Sequence, residues 1–376
     1  MKKRMVSLML AVSMALSLTA CGGSGGGKTE EKKAEAGAAK EENADGETLS
    51  PEADAIEDKT ITWAKDNSGN TFLAIAQREG WFEELGITIE EVPIDANNDA
   101  MTALSNGQLD IFTNYGTSGP LQQIASGEDF LIIGGYMATG CIPIVAKAGT
   151  EWNGIEDFVG KRVAGEPHNY ALTGGLLELG YDPMKDVEWV SYPTASDKLA
   201  AVLKGEVDYA GASTSRNYEI SKNKDLEIMT YYSDLMPWYS CCRMVITKEY
   251  AEQNPNTVKA IIKVLLRGQQ YYETHHDECV DLMAEYMGVE RDYVSVYMDN
   301  EHFRIHCDPL KHEVVKGWNI MEETGFLDEK AKDINIEDYI ATDIYKEALD
   351  EAYEEYYDED PEYWDRMIAF YEEHNL

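Results

Sequence analysis

Ala103-Leu104-Ser105-Asn106-Gly107-Gln108-Leu109-Asp110 and Ala201-Val202-Leu203-Lys204-Gly205-Glu206-Val207-Asp208 are two versions of one unit, Ala-[Leu/Val]-x-x-Gly-x-[Leu/Val]-Asp. Each reads as the last turn of a helix, a glycine able to adopt the left-handed C′ conformation, and a short buried strand that follows at once. Used twice in one chain, the unit predicts two similar α/β lobes.

The residues around the first copy extend the pattern. Residues 60–65 read as a strand, Asp66-Asn67-Ser68-Gly69-Asn70 as a polar turn and 71–79 as an amphipathic helix closed by Gly80, while 87–92 alternate as a second strand. Strands joined through a helix pair in parallel, so a parallel sheet with crossover helices is expected. A helix over 99–106 leads through Gly107 to a strand at 110–113, and 130–136 adds another apolar strand. The second lobe takes strands at 142–147, 161–165 and 187–192 and runs to about residue 239, after which 242–247 return to the first. Beyond residue 248 the chain reads as mainly helical. Asn254-Pro255 supplies an N-cap and N1 pair for a helix to about residue 275, Gly288 ends the next, and further helices fall at 291–298, 310–324 and 344–372 with a break near Pro361. The expected division is lobe 1 over 59–141 and 243–336, lobe 2 over 142–242, and an acidic, Tyr-rich helical extension over 337–376. In that extension Tyr345, Tyr353, Tyr356, Tyr357, Tyr363 and Trp364 form a stripe suited to packing on the body.

The N-terminus addresses location. Lys2, Lys3 and Arg4 precede an apolar stretch over 5–18, and Leu18-Thr19-Ala20-Cys21 matches the bacterial lipobox, in which cleavage leaves the cysteine as an acylated N-terminus. A signal peptide over 1–20, lipidation of Cys21 and a Gly-, Glu- and Lys-rich leash over 21–58 are therefore expected, placing the protein on the extracytoplasmic face of a cell membrane. Formal net charge is −38, from 32 Lys and Arg against 70 Asp and Glu. Such a chain repels polynucleotides and anionic membranes. The extension alone holds 15 acidic and 2 basic residues, a pattern that reads as a solvated helical face. Besides Cys21 there are five cysteines, Cys141, Cys241, Cys242, Cys279 and Cys307; an odd number leaves at least one thiol unpaired within the chain, and no disulfide is assigned.

Several segments then acquire a likeness in order and spacing. Ile61-Thr62-Trp63, residues 67–71, Ala76-Gln77-Arg78-Glu79-Gly80-Trp81-Phe82-Glu83, Leu85-Gly86-Ile87, Gly160-Lys161-Arg162-Val163-Ala164-Gly165 and Asn254-Pro255-Asn256-Thr257-Val258-Lys259-Ala260, with the repeated unit, resemble solute-binding proteins of the nitrate/sulfonate/taurine ABC-transporter family and its thiamine-pyrimidine-precursor-binding relatives. The likeness covers about residues 60–325. It implies a periplasmic-binding-protein type II fold, two α/β lobes joined by a two-crossover hinge, that captures a small molecule, delivers it to an ABC-transporter permease, needs no cofactor and works as a monomer.

In open α/β sheets ligands sit beyond the carboxyl ends of the strands. The expected site is therefore four turns and a crossover: Asp66, Asn67 and Asn70; Asn114, Tyr115, Gly116 and Thr117; Glu166, His168 and Asn169; Ser213 and Thr214; and Trp238 with Tyr239. Trp63, in the first strand, and Trp238 are expected as opposing aromatic walls. With Arg216 the only basic residue near these turns, and Glu166-Pro167-His168-Asn169 where sulfonate-binding relatives commonly have small residues, the ligand reads as a nitrogenous aromatic or cationic compound, such as a thiamine pyrimidine precursor. A sulfonate, taurine or nitrate ligand is the alternative within the family.

Two readings of other classes compete. Some fungal relatives are pyrimidine synthases, but residues 67–71 lack the histidine those enzymes carry there, and no nucleophile elbow, nucleotide-binding loop or His-Glu-x-x-His is found, so catalysis is not expected. Metal capture would draw on His302, His306, Cys307 and His312, yet Pro309 and the alternation of Phe303 and Ile305 disfavour one helix face there, and satisfied histidines are expected.

Overall fold

The computed structural model describes residues 55–66, 68–94 and 97–376. The signal peptide, Cys21, all but the last residues of the leash, and Asn67 lie outside them. Eleven strands are present among the described residues: β1 (Thr60–Lys65), β2 (Thr88–Pro93), β3 (Phe130–Gly135), β4 (Met137–Gly140), β5 (Pro143–Lys147), β6 (Arg162–Ala164), β7 (Glu188–Val190), β8 (Tyr209–Gly211), β9 (Leu226–Tyr231), β10 (Arg243–Thr247) and β11 (Phe303–Ile305).

Strands β5 to β9 form one sheet in the order β7-β6-β8-β5-β9, with β6 parallel to β7 and β8, and β5 antiparallel to β8 and β9. The other lobe repeats this plan. Strand β1 pairs in parallel with β2 and, through Trp63 and Ile111, with residues 111–112; Phe112 then bridges antiparallel to Val245 of β10, which pairs antiparallel with β3. The order is thus β2-β1-(111–112)-β10-β3. The strand expected at 110–113 is reduced to these two bridges, the counterpart of β8.

The repeated unit explains why the lobes match. In the first copy Gly107 takes φ 64 and its N–H reaches the Leu104 carbonyl; in the second Gly205 takes φ 77 and reaches that of Val202. A residue with a β-carbon is strained in this left-handed region, so glycine fits both positions. Each aspartate then ties its strand to the parallel neighbour in the sheet, β1 in the first copy and β6 in the second. Asp110 accepts the Thr62 N–H at 2.7 Å while its own N–H donates to the Thr62 carbonyl at 3.0 Å, and Asp208 and Arg162 repeat the exchange at 2.9 and 2.8 Å.

Helices cover the sheets close to where the sequence places them. Thr71–Glu79 ends at Gly80, Pro255–Thr274 packs on it, His276–Met287 ends at Gly288, Arg291–Met298 and Lys311–Glu323 follow, and the extension divides into Thr342–Tyr356 and Pro361–Asn375. One cap differs from expectation. The Asn254 side chain makes no cap bond and instead donates to the Tyr250 carbonyl, while Glu57 accepts from the Asn256 and Thr257 N–H groups. A carboxylate suits the positive end of a helix better than an amide does, and it anchors the chain just ahead of β1. The histidines near β11 are occupied within the fold: His302 stacks on Tyr231 with ring centroids 4.1 Å apart, and His306 stacks on Phe370 at 3.8 Å. Among the described residues no group of three or more His, Cys, Asp or Glu is placed to hold a metal ion.

The extension docks through its aromatic stripe and its final residues. Tyr345, Tyr363 and Trp364 are buried, and the Tyr363 hydroxyl donates to the Leu266 carbonyl at 2.8 Å. At the end of the last helix the Asn375 amide donates to both oxygens of the fully buried Asp308, and His374 meets Glu313 at 2.7 Å. Burial pushes the Asp308 carboxyl up to about 7 against the bonds from Asn375 and the Leu310 N–H, whereas burial beside Arg243 pushes the His306 ring down to about 3.

Two outcomes are expected. Asp110→Ala should cost about 1–3 kcal/mol of stability by freeing the Thr62 N–H, and Asp208→Ala less, its side chain being 37% exposed; both are read as lowered melting temperatures. Asp308 keeps its proton in the folded chain to about pH 7 but loses it near pH 4 once unfolded, so its contribution to stability declines as pH rises through that window. The stability of Asp308→Asn relative to wild type should therefore increase from pH 4 to 7 in thermal melts, and a constant difference would contradict the buried, proton-holding carboxyl.

Candidate ligand-binding cleft

Because the parallel strands of both sheets end in turns, their unpaired backbone and short polar side chains gather at one level. These turns close a cavity of about 320 Å³. From the first lobe it is lined by Asp66 and Ser68 after β1 and by Asn114, Tyr115, Gly116, Thr117 and Ser118; from the second by Glu166, His168, Asn169 and Tyr170 after β6 and by residues 211–215 after β8. Tyr239, Cys241 and Cys242 contribute from the crossover that leads into β10.

The first-lobe wall is a preorganised polar network. Asp66 accepts from the Ser68 hydroxyl at 2.6 Å, the Ser68 N–H at 3.1 Å, the Gly69 N–H at 2.9 Å and the Asn114 amide at 3.0 Å. Burial raises the Asp66 carboxyl above its usual range, and these donors oppose the rise. The Asn114 amide also donates to the Gly69 carbonyl, while its side-chain oxygen is buried with no partner in the protein. Thr117 precedes the helix Ser118–Ser126 but does not cap it with its side chain; its hydroxyl donates to the Ser240 carbonyl and its N–H to that of Cys241.

The second-lobe wall is richer in hydroxyls and carries a cation. Ser213 and Ser215 hydroxyls lie 3.1 Å apart, and the Thr214 hydroxyl donates to the Gly140 carbonyl. Lys198, in the helix Ala195–Lys204, reaches the cavity and pairs with Glu166 at 2.9 Å, its side chain 15% exposed. Burial lowers the His168 imidazole below its usual range, with Glu166 opposing and Lys198 reinforcing, so the ring is neutral at pH 7. Tyr170 donates to the Ser240 carbonyl at 3.0 Å, and Tyr239 accepts the Gly140 N–H at 3.0 Å.

Most residues expected at the cleft line this one cavity: Asp66, Asn114, Tyr115, Gly116, Thr117, Glu166, His168, Asn169, Ser213, Thr214 and Tyr239. Asn70 does not. Its side-chain oxygen caps its own helix by accepting from the Leu73 N–H, its amide donates to Thr113, and it is 4% exposed. Neither tryptophan forms a wall. Trp63 is fully buried in the first-lobe core, and half-buried Trp238, at φ 54, packs edge-on against Phe370 and His374 with the Arg304 guanidinium over its ring. Sequence reasoning placed Tyr170 at the end of the cleft turn that begins at Glu166, but it missed Lys198, Tyr232 and the adjacent cysteines. A lysine on an amphipathic helix carries the signal of a solvated face, and only the tertiary arrangement turns it inward.

The chain is 27% identical over 212 residues to the taurine-binding periplasmic protein of Escherichia coli K12, an alignment that takes in 54% of this chain and 63% of that protein's length. Its fold is shared with the periplasmic aliphatic sulphonate binding protein SsuA of Escherichia coli (TM-score 0.62, 18% identity, 73% of this chain and 90% of that one). It is also shared with the periplasmic nitrate-binding protein NrtA of Synechocystis PCC 6803 (TM-score 0.61, 14% identity, 79% and 89%). The periplasmic-binding-protein architecture expected from the sequence is therefore present, and since the NMT1/THI5-like family model matches residues 67–279, more than half of its length, the chain belongs to that family.

Proposed function

We propose that this protein is the capture subunit of an ABC importer, held on the extracytoplasmic face by a lipid on Cys21, and that its cleft takes a small zwitterion with a protonated amine and an anionic head of the amino-sulfonate kind. One observation carries the ligand class: the cavity holds two carboxylates, Asp66 and Glu166, against the single ammonium of Lys198, while the hydroxyls of Ser213 and Ser215 belong to the same lobe as Lys198. The carboxylate of Asp66 suits a bound amine, and neutral donors with Lys198 suit the anionic head. A bare anion such as nitrate would meet an excess of negative charge. A stacked nitrogenous aromatic loses its main support, because Trp63 and Trp238 lie outside the cavity. The volume, near the lower end of ligand pockets, fits a small solute. The name of the E. coli relative supports the same reading, since taurine bears both a sulfonate and an ammonium. Binding rather than chemistry is proposed, with the two lobes closing about the crossovers to hand the solute to a permease.

The test is a thermal-shift and calorimetry panel of taurine, ethanesulfonate, nitrate, an aminomethylpyrimidine and choline. Taurine or a close homologue should stabilise the protein most, by about 2.7 kcal/mol at 100 times its dissociation constant. Lys198→Ala should weaken that binding by about tenfold or more, and Asp66→Asn should weaken taurine more than ethanesulfonate. Selective stabilisation by the pyrimidine or by choline would overturn the zwitterion reading; indifference to every solute would overturn the capture role for this class.

A further inference from the structure

Five cysteines are described, all as free thiols, and only two of them face the cavity. Cys241 and Cys242 are adjacent in sequence, their sulfurs are in contact at 3.5 Å, and they retain 9% and 5% exposure through the cleft, whereas Cys141, Cys279 and Cys307 are fully enclosed. Consecutive residues of an extended strand send their side chains to opposite faces. This pair does not follow that alternation: both N–H groups donate to one neighbouring segment, Cys241 to the Ala138 carbonyl and Cys242 to that of Met137, just after Trp238 at φ 54 and Ser240 at φ 47 turn the crossover before β10.

We propose that Cys241 and Cys242 are a redox modification site, a dithiol in the wall of the cleft that a small peroxide entering the cavity closes into a disulfide between neighbouring residues. The thiolate of one cysteine attacks a peroxide oxygen, the O–O bond breaks, and a sulfenic acid and hydroxide result; the second thiol attacks that sulfur and expels its oxygen as water. In sum, two thiols and one hydrogen peroxide give one disulfide and two waters, the sulfurs being oxidised and the peroxide reduced. The attacking sulfur is that of Cys241, whose thiol is lowered by the hydrogen bond from Cys242, with Tyr239 and Arg243 adding to the effect, while Cys242 is raised.

The new bond would close a small ring containing the peptide between the two residues. That peptide is tied on both sides: its carbonyl, on Cys241, accepts the Thr117 N–H at 3.0 Å, and its N–H, on Cys242, donates to the Met137 carbonyl at 3.0 Å. Thr117 and Met137 both line the cavity, so twisting the peptide disturbs the cleft wall as well as the crossover. The site itself does not depend on which solute the cleft binds.

Peptide mapping tests it without any ligand. Cleavage after Lys224 and Arg243 gives one peptide, residues 225–243, holding both cysteines and no other. After exposure of the folded protein to a few equivalents of hydrogen peroxide, denaturation and alkylation, this peptide should be two hydrogens lighter and unlabelled, and should take two labels once reduced. Cys141, Cys279 and Cys307 should be labelled throughout. In Cys242→Ser the reaction should stop at a sulfenic acid on Cys241 that dimedone traps, and Cys141→Ser should behave as wild type. Two labels on the 225–243 peptide after peroxide, over-oxidation to sulfinic acid, or a link to another peptide would overturn the proposal. Hydrogen exchange supplies the second readout: the Thr117 amide should exchange at least several-fold faster in the oxidised form, and unchanged protection would refute the coupling to the cleft wall.

Discussion

The ladder between the two crossovers is the constraint on which the cleft depends. Cys241 and Cys242 donate their N–H groups to the Ala138 and Met137 carbonyls, and Tyr136 returns a bond to Cys242, so the strand leaving the first lobe and the strand re-entering it are one buried antiparallel pair. Arg243 reinforces it from within: its guanidinium, 1% exposed, donates to the Met137 and Asp308 carbonyls. An arginine buried against carbonyls is costly to desolvate and more costly to leave unpaired. Separating the crossovers would therefore leave the Arg243 guanidinium without its two carbonyl partners.

Given that ladder, the duplicated unit supplies the rest of the geometry at little further cost in sequence. A left-handed glycine ends each covering helix, an aspartate locks each short strand to its parallel neighbour, and both sheets then present the same edge to the same gap. Four polar turns meet because two copies of one plan face each other across the crossovers. This accounts for how far the site could be read from the sequence. Asp66, Asn114, Glu166, His168 and Ser213 were found because the position of a turn relative to a parallel strand follows from periodicity and handedness alone.

What could not be read depends on packing between distant segments. Trp63 occupies an alternating strand whose pattern does not say which face meets the cleft, and in the fold its side is the core, where it is fully buried. Asn70 looks like Asn114 in composition, yet it stands one residue before a helix and its side-chain oxygen accepts from the Leu73 N–H of that helix. Lys198 carried no local signal at all, since its inward course is set by Glu166 on a different element. The strand at 110–113 shrank to two bridges because its partners fix its register at Ile111 and Phe112 alone.

The C-terminal extension accounts for the position of Trp238. Its last helix places Phe370 between Trp238 and His306 and ends with His374 and Asn375 on Glu313 and Asp308. Asp308 is also the residue whose carbonyl receives Arg243. A segment that reads as a solvated acidic face is thus, on its other side, the cover of the crossover. The tryptophan that sequence reasoning assigned to ligand packs against this cover, and the polar lining of the cleft comes from hydroxyls, amides, two carboxylates, His168 and one lysine. On the proposed reading, such a site recognises its solute by charge placement and hydrogen-bond geometry, and the selectivity we propose comes from leaving Asp66, Lys198 or the Ser213 turn unpaired when the wrong solute enters.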